Sequence, residues 1–114
     1  MALIYSVTAT LKSEGAREEY LRWLEGGHAA ALLPWALAAE VVRLEPSEAG
    51  EWRVESRYTF EGREAFERYL REGAPALRAD GAALAERLGG VSFERRVGER
   101  GWSGARGARA ELEG

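Results

Sequence analysis

The chain has 114 residues, 16 of them basic and 19 acidic, for a net charge of −3, and is the size of one domain able to bury roughly two-thirds of its unfolded surface. It contains no Cys, which excludes disulfides, thiolate zinc sites, iron–sulfur clusters and thiol chemistry. The mild acidity gives nucleic acid no electrostatic attraction. The stretch Met1-Ala2-Leu3-Ile4-Tyr5 reads as the start of a strand rather than a signal peptide, and no apolar run approaches the ~20 residues of a membrane span. A cytoplasmic protein with no membrane or nucleic-acid partner is the expectation. Lys12 is the only lysine, and Asn and Gln are absent. Such a composition suits a hot habitat; a GC-rich genome would produce it too.

Leu3 to Leu11 alternates, with Leu3, Tyr5, Val7, Ala9 and Leu11 on one face and Ile4, Ser6, Thr8 and Thr10 on the other. This is a half-buried strand. Ser13 offers an N-cap to a helix carrying Tyr20, Leu21, Trp23 and Leu24, with Glu18 and Arg22 at pairing distance. Gly26-Gly27 interrupts it, and a short helical piece from His28 to Leu33 stops at Pro34. A second strand is centred on Val41, Val42, Arg43 and Leu44, and the run Pro46 to Gly50 closes a hairpin. The third strand places Trp52, Val54, Ser56, Tyr58 and Phe60 on one face, and Arg53, Glu55, Arg57 and Thr59 on the other.

Gly62 opens the second long helix, whose apolar face is Phe66, Tyr69 and Leu70, with Glu64–Arg68 and Glu67–Arg71 as exposed pairs. Gly73 ends it, and Pro75 starts a further helical segment with Leu77, Leu84 and Leu88 inward. Gly89-Gly90 stops that segment, and Val91 to Val97 is the last strand, with Val91, Phe93, Arg95 and Val97 on one face. The order strand, helix, strand, strand, helix, strand predicts an α+β ferredoxin-like sandwich: an antiparallel four-stranded sheet with helices on one face. The domain is expected over residues 1–97, followed by a Gly- and Arg-rich tail, 98–114, that is either a flexible arm or one ordered against a partner, with Trp102 and Leu112 as its candidate anchors.

In that plan the first and third strands are central, and one sheet face is left bare. Ser6, Thr8, Arg53, Glu55, Arg57, Glu94 and Arg96 fall on it. Such a face is either solvated in a monomer or a polar seam between two sheets in a dimer, with ion pairs fixing register. Truncating the tail would weaken the dimer if Trp102 docks on the other protomer.

The strings Leu3-Ile4-Tyr5-Ser6-Val7-Thr8, Tyr20-Leu21-Arg22-Trp23-Leu24, His28 and Tyr69-Leu70-Arg71-Glu72-Gly73-Ala74-Pro75-Ala76-Leu77-Arg78 carry a resemblance over roughly residues 3–97. The chain resembles an uncharacterised bacterial domain-of-unknown-function family, itself similar to the dimeric α/β-barrel superfamily, in which two ferredoxin-like protomers pack sheet on sheet. The resemblance implies a homodimer and supplies no activity.

His28 is the only histidine. It is either a structural cap on a broken helix or a general base or haem ligand, since imidazole titrates near neutrality and binds iron. It has no His or Cys partner at metal-ligand spacing, so no metal or other cofactor is expected. Trp23, His28, Trp35 and Tyr69 are the candidate lining of a pocket for a small apolar ligand, although residues such as Trp23 and Trp35 are more often core than cofactor contacts. Superfamily enzymes include cofactor-free monooxygenases and haem-degrading proteins, whose pockets commonly use an Asn that this chain lacks. The carboxylate pairs Glu18-Glu19, Glu64/Glu67 and Glu111/Glu113 have Arg neighbours and read as solvated faces. Tyr58 and Phe60 lie on the helix-covered face, which argues against the stacking platform of an RNA-recognition domain. The functional expectation is therefore small-molecule binding or structural interaction by a homodimer, or an enzyme using His28.

Overall fold

A computed structural model describes residues 1–106. The elements in chain order are β1 (Leu3–Leu11), α1 (Glu14–Trp23), β2 (Ala38–Arg43), β3 (Trp52–Phe60), α2 (Arg63–Glu72), α3 (Ala74–Arg87) and β4 (Ser92–Glu99). The strands form one antiparallel sheet in the order β2-β3-β1-β4. With β1 and β3 central, this is the ferredoxin-like arrangement expected from the sequence.

The alternation in β1 and β3 sets the layers. Tyr5 stands opposite Tyr58 and Val97, Val7 opposite Ser56 and Arg95, and Ala9 opposite Val54 and Phe93. Directly opposed residues share a face, so these side chains lie on the helix side of the sheet, where those of β1 and β3 are largely covered while Arg95 and Val97 of the edge strand β4 stay exposed. Two buried clusters fill the layer between. One joins Leu3, Tyr5, Tyr58 and Phe60 to Phe66 and Tyr69 of α2. The other joins Ala9, Leu11 and Val54 to Tyr20, Leu21 and Leu24 of the first helical arm and Leu84 of α3.

Ser13 caps α1 as its sequence suggests, its Oγ accepting the Ala16 N–H at 3.1 Å, a contact worth about 1 kcal/mol. The helix does not stop at the two glycines. It passes into a π-helical turn, Leu24–His28, in which Gly27 takes φ 149°, a conformation that side chains with a Cβ resist. A 3₁₀ turn, Ala30–Leu32, follows. β2 spans Ala38–Arg43, placing its centre before the expected Val41–Leu44, and Leu37 N–H already bonds Thr59 C=O at 2.7 Å. Pairing with the long β3, not local propensity, decides where β2 starts.

α2 and α3 meet at Gly73, where Trp35 lies so close that a Cβ would fall 2.6 Å from its ring. β4 runs past Val97 to Glu99, and Arg100 N–H bonds Ala2 C=O at 2.8 Å. The tail reading of 98–114 thus includes strand residues at its start; its last eight residues, 107–114, lie outside those described.

The expected helix pairs Glu18–Arg22, Glu64–Arg68 and Glu67–Arg71 do not form among the described residues. Glu18 instead binds Arg17 at 3.1 Å and also Arg43. Exposed i,i+4 pairs gain little, so a better-placed partner wins. Arg17 is buried at 5% exposure, its guanidinium 4.7 Å from the centre of the Trp52 ring. It occupies the same stripe as Tyr20, Leu21 and Leu24, at i, i+3, i+4 and i+7.

Candidate functional site

Between the sheet and the helices lies a cavity of about 140 Å³. Its floor is Tyr5, Val7, Ser56 and Tyr58 from the central strands, with Phe93 and Arg95 from β4. Tyr20, Trp23, Leu24 and His28 form one wall, and Tyr69, Leu77, Arg78 and Gly81 close it from α2 and α3. The Gly27 kink matters here because it turns the chain away from the α1 axis, leaving His28 over the cavity instead of continuing outward.

The His28 imidazole stacks on the Trp23 indole, with ring centres 3.8 Å apart and planes 21° from parallel. Burial pulls its pKa below the ordinary imidazole value, against the opposing charge of Asp80 on α3. At neutral pH His28 is therefore an uncharged ring with a free-electron-pair nitrogen, able to accept a proton or a hydrogen bond. Burial also raises the tyrosine phenols: Tyr58 and Tyr20 titrate above the usual range, and Tyr69 is pushed up to about 12. These hydroxyls are hydrogen-bond donors at any physiological pH. Arg78 Nη2 donates to the Tyr5 hydroxyl at 3.3 Å.

Three of the residues picked from the sequence, Trp23, His28 and Tyr69, come together on this cavity. Trp35 does not line it. Its ring covers Gly73 and contacts Tyr69 at 5.8 Å, and its Nε1–H is tied to Glu72 Oε1 at 3.1 Å on the outer side of α2. A closely packed helix junction, rather than a ligand, takes this indole. The sequence reading missed Arg78 and Arg95. For Arg95 a signal existed, because a cation stands among Val91, Phe93 and Val97 on the inward face of β4.

The other candidate residues lie on the bare sheet face. Ser6 Oγ donates to Glu55 at 2.9 Å, Arg57 bridges Glu40 and Glu55 at 2.9 Å each, and Arg96 binds Glu94 at 3.0 Å. Glu40 and Arg57 are direct cross-strand partners. Thr8, Arg53, Glu55, Glu94 and Arg96 also line an open hollow of about 410 Å³ on this face. Its walls are polar and it is open, which fits an extended contact rather than an enclosed ligand. Arg53 Nε is screened from solvent with no hydrogen-bond partner among the described residues. Trp102 is 89% exposed. Among the described residues no three His, Asp or Glu side chains gather as a metal site, and no helix is long and apolar enough to cross a membrane.

No protein-family model and no curated protein matches the sequence. Solved structures do match its fold. A dimeric ferredoxin-like protein from an uncultured marine organism aligns over 90% of this chain and 97% of that one, at 12% identity and TM-score 0.73. SnoaB, a cofactor-independent oxygenase from Streptomyces nogalater, aligns over 90% and 95%, at 14% identity and TM-score 0.62. A protein provisionally described as an antibiotic biosynthesis monooxygenase from Deinococcus radiodurans aligns over 90% and 96%, at 19% identity and TM-score 0.64. At these identities the likeness establishes the ferredoxin-like fold. The bacterial domain family suggested by the sequence strings finds no matching model.

Proposed function

We propose that this protein is a cytoplasmic homodimer that binds a small molecule in the cavity between its sheet and its helices. The observation that carries the reading is the cavity itself: stacked Trp23 and His28, un-ionised phenols and two arginines converge on one apolar-walled space. A core built only for stability would fill such a space and would not line it with so many polar groups. Two features support the dimer. The bare face carries paired charges and a screened Arg53 Nε with no partner among the described residues, and a protein of the same fold is dimeric. Ser6, Thr8, Arg53, Glu55, Arg57, Glu94 and Arg96 would form the seam, with Trp102 at its edge.

A second reading is favoured by the state of His28. A neutral imidazole facing a cavity, in a fold shared with a cofactor-independent oxygenase, suits a general base acting on the bound molecule. A cavity of about 140 Å³ is far smaller than a porphyrin needs, so haem ligation is the weaker form of this reading.

Native mass spectrometry of the protein purified without added ligand tests both parts. A dimer carrying the mass of a retained small molecule is the expected result. A monomer would overturn the proposed seam, and a bare dimer that also takes up no small aromatic probe would overturn the binding role. If the enzyme reading holds, H28A keeps the retained mass but loses dioxygen consumption with that molecule present.

A further inference from the structure

The cavity's two cations narrow what it takes, and this step rests on the binding role just proposed. We propose that the ligand is a small single-ring aromatic carboxylate, its ring among the aromatic walls and its carboxylate between Arg78 and Arg95.

Size argues for one ring. The space measures about 140 Å³, close to the roughly 150 Å³ of apolar cavities that hold a benzene molecule. The walls suit a flat apolar body: Val7, Leu24, Leu77 and Phe93 surround the stacked Trp23 and His28.

Charge argues for an anion. Arg95 stands opposite Val7 on the helix side of the sheet and, exposed at the mouth of the cavity, holds its charge where a bound anion can reach it. Arg78 reaches the same cavity from α3, on the opposite layer. Among the described residues no carboxylate lies within 4.0 Å of either guanidinium. The one acceptor that Arg78 has there is the neutral Tyr5 hydroxyl, which leaves its other donors open. Arg17 makes the contrast clear. It also points inward, but it has Glu18 for charge and Trp52 for stacking. Arg95 has a ring beneath it, Phe93 at 5.3 Å, and no counter-charge.

A carboxylate is the anion that this arrangement favours, since a planar guanidinium binds it through two parallel hydrogen bonds. Asp80 acts on His28 from α3 and keeps negative charge away from that side. The ligand is thereby oriented, with its ring toward Trp23 and His28 and its carboxylate toward the arginines. The Tyr69 hydroxyl, close enough to both arginines to feel their charge, is placed to donate a further hydrogen bond.

The test is titration calorimetry on the dialysed full chain with benzoate and with benzyl alcohol, its neutral counterpart of similar size, at a pH where benzoate is fully ionised. Benzoate is expected to bind at least about tenfold more tightly, the effect of a charge-assisted hydrogen bond. That preference should fall by about tenfold in each of R78Q and R95Q. Both side chains are exposed at the cavity mouth, so neither change removes packing from the core. Equal binding of the two probes, or a preference unchanged in both variants, would overturn the carboxylate assignment and leave the cavity as a binding site. Binding of neither probe at millimolar concentration would overturn the assignment and the binding role together.

Discussion

At the scale of single residues, His28 makes a pH-dependent contribution whose sign follows from its burial. Burial disfavours the imidazolium, so the folded protein holds this proton less tightly than the unfolded chain does. Stability from this group is constant above the unfolded value of about 6.5 and declines as the pH falls through the lower folded value. The loss of melting temperature between about pH 7.5 and about pH 5.5 should therefore be smaller in His28→Phe, which keeps the stack on Trp23 but cannot be protonated. A variant with the same loss as the wild type would place the titration elsewhere. Much of this site was legible residue by residue. A lone histidine beyond a glycine pair, near a tryptophan, is visible in the string, and so is an arginine in an apolar alternation. That His28 stacks on Trp23 was not legible, because it depends on a π-helical turn that the Gly26-Gly27 pair predicted only as an interruption.

At the scale of elements, two glycines of the α2–α3 region should respond oppositely to the same substitution. At Gly73 a Cβ would sit 2.6 Å from the Trp35 ring, whereas at Gly81 it would meet Trp23 at 3.7 Å, an ordinary contact. Gly73→Ala should thus destabilise by about 1–3 kcal/mol through overpacking. Gly81→Ala should stabilise by up to about 1 kcal/mol through helix propensity. Chemical denaturation of the two variants checks the contrast, and equal signs would show that Trp35 moves aside. The element boundaries divide in the same way. β1, β3 and the Ser13 cap were readable because alternation and capping are local. The early start of β2 and the site of Trp35 depend on what lies across the fold, namely the length of β3 and the bare backbone of Gly73.

At the scale of the whole molecule, the sheet separates two kinds of polar surface. The bare side satisfies its charges laterally, through Glu40, Arg57 and Glu55 across strands, while the covered side leaves Arg95 facing a hollow. The sequence order alone predicted which residues lie on each side, since the period of two carries through every strand. It could not predict the hollow, which exists because α3 covers the sheet thinly. Of its fourteen residues only Ala74 and Leu84 are buried, so α3 holds its shape more by its alanine-rich propensity than by its grip on the core. A segment held so lightly opens at a fraction of the global unfolding cost. Its amide protons from Leu77 to Ala85 should exchange with deuterium well before those of β1 and β3, and a bound ligand should slow them selectively. Uniform exchange across helix and sheet would show the molecule opening only as one unit. The cavity already opens beside Arg78 and Arg95, so the breathing of one helix would widen an existing mouth and set how bulky a molecule can pass it.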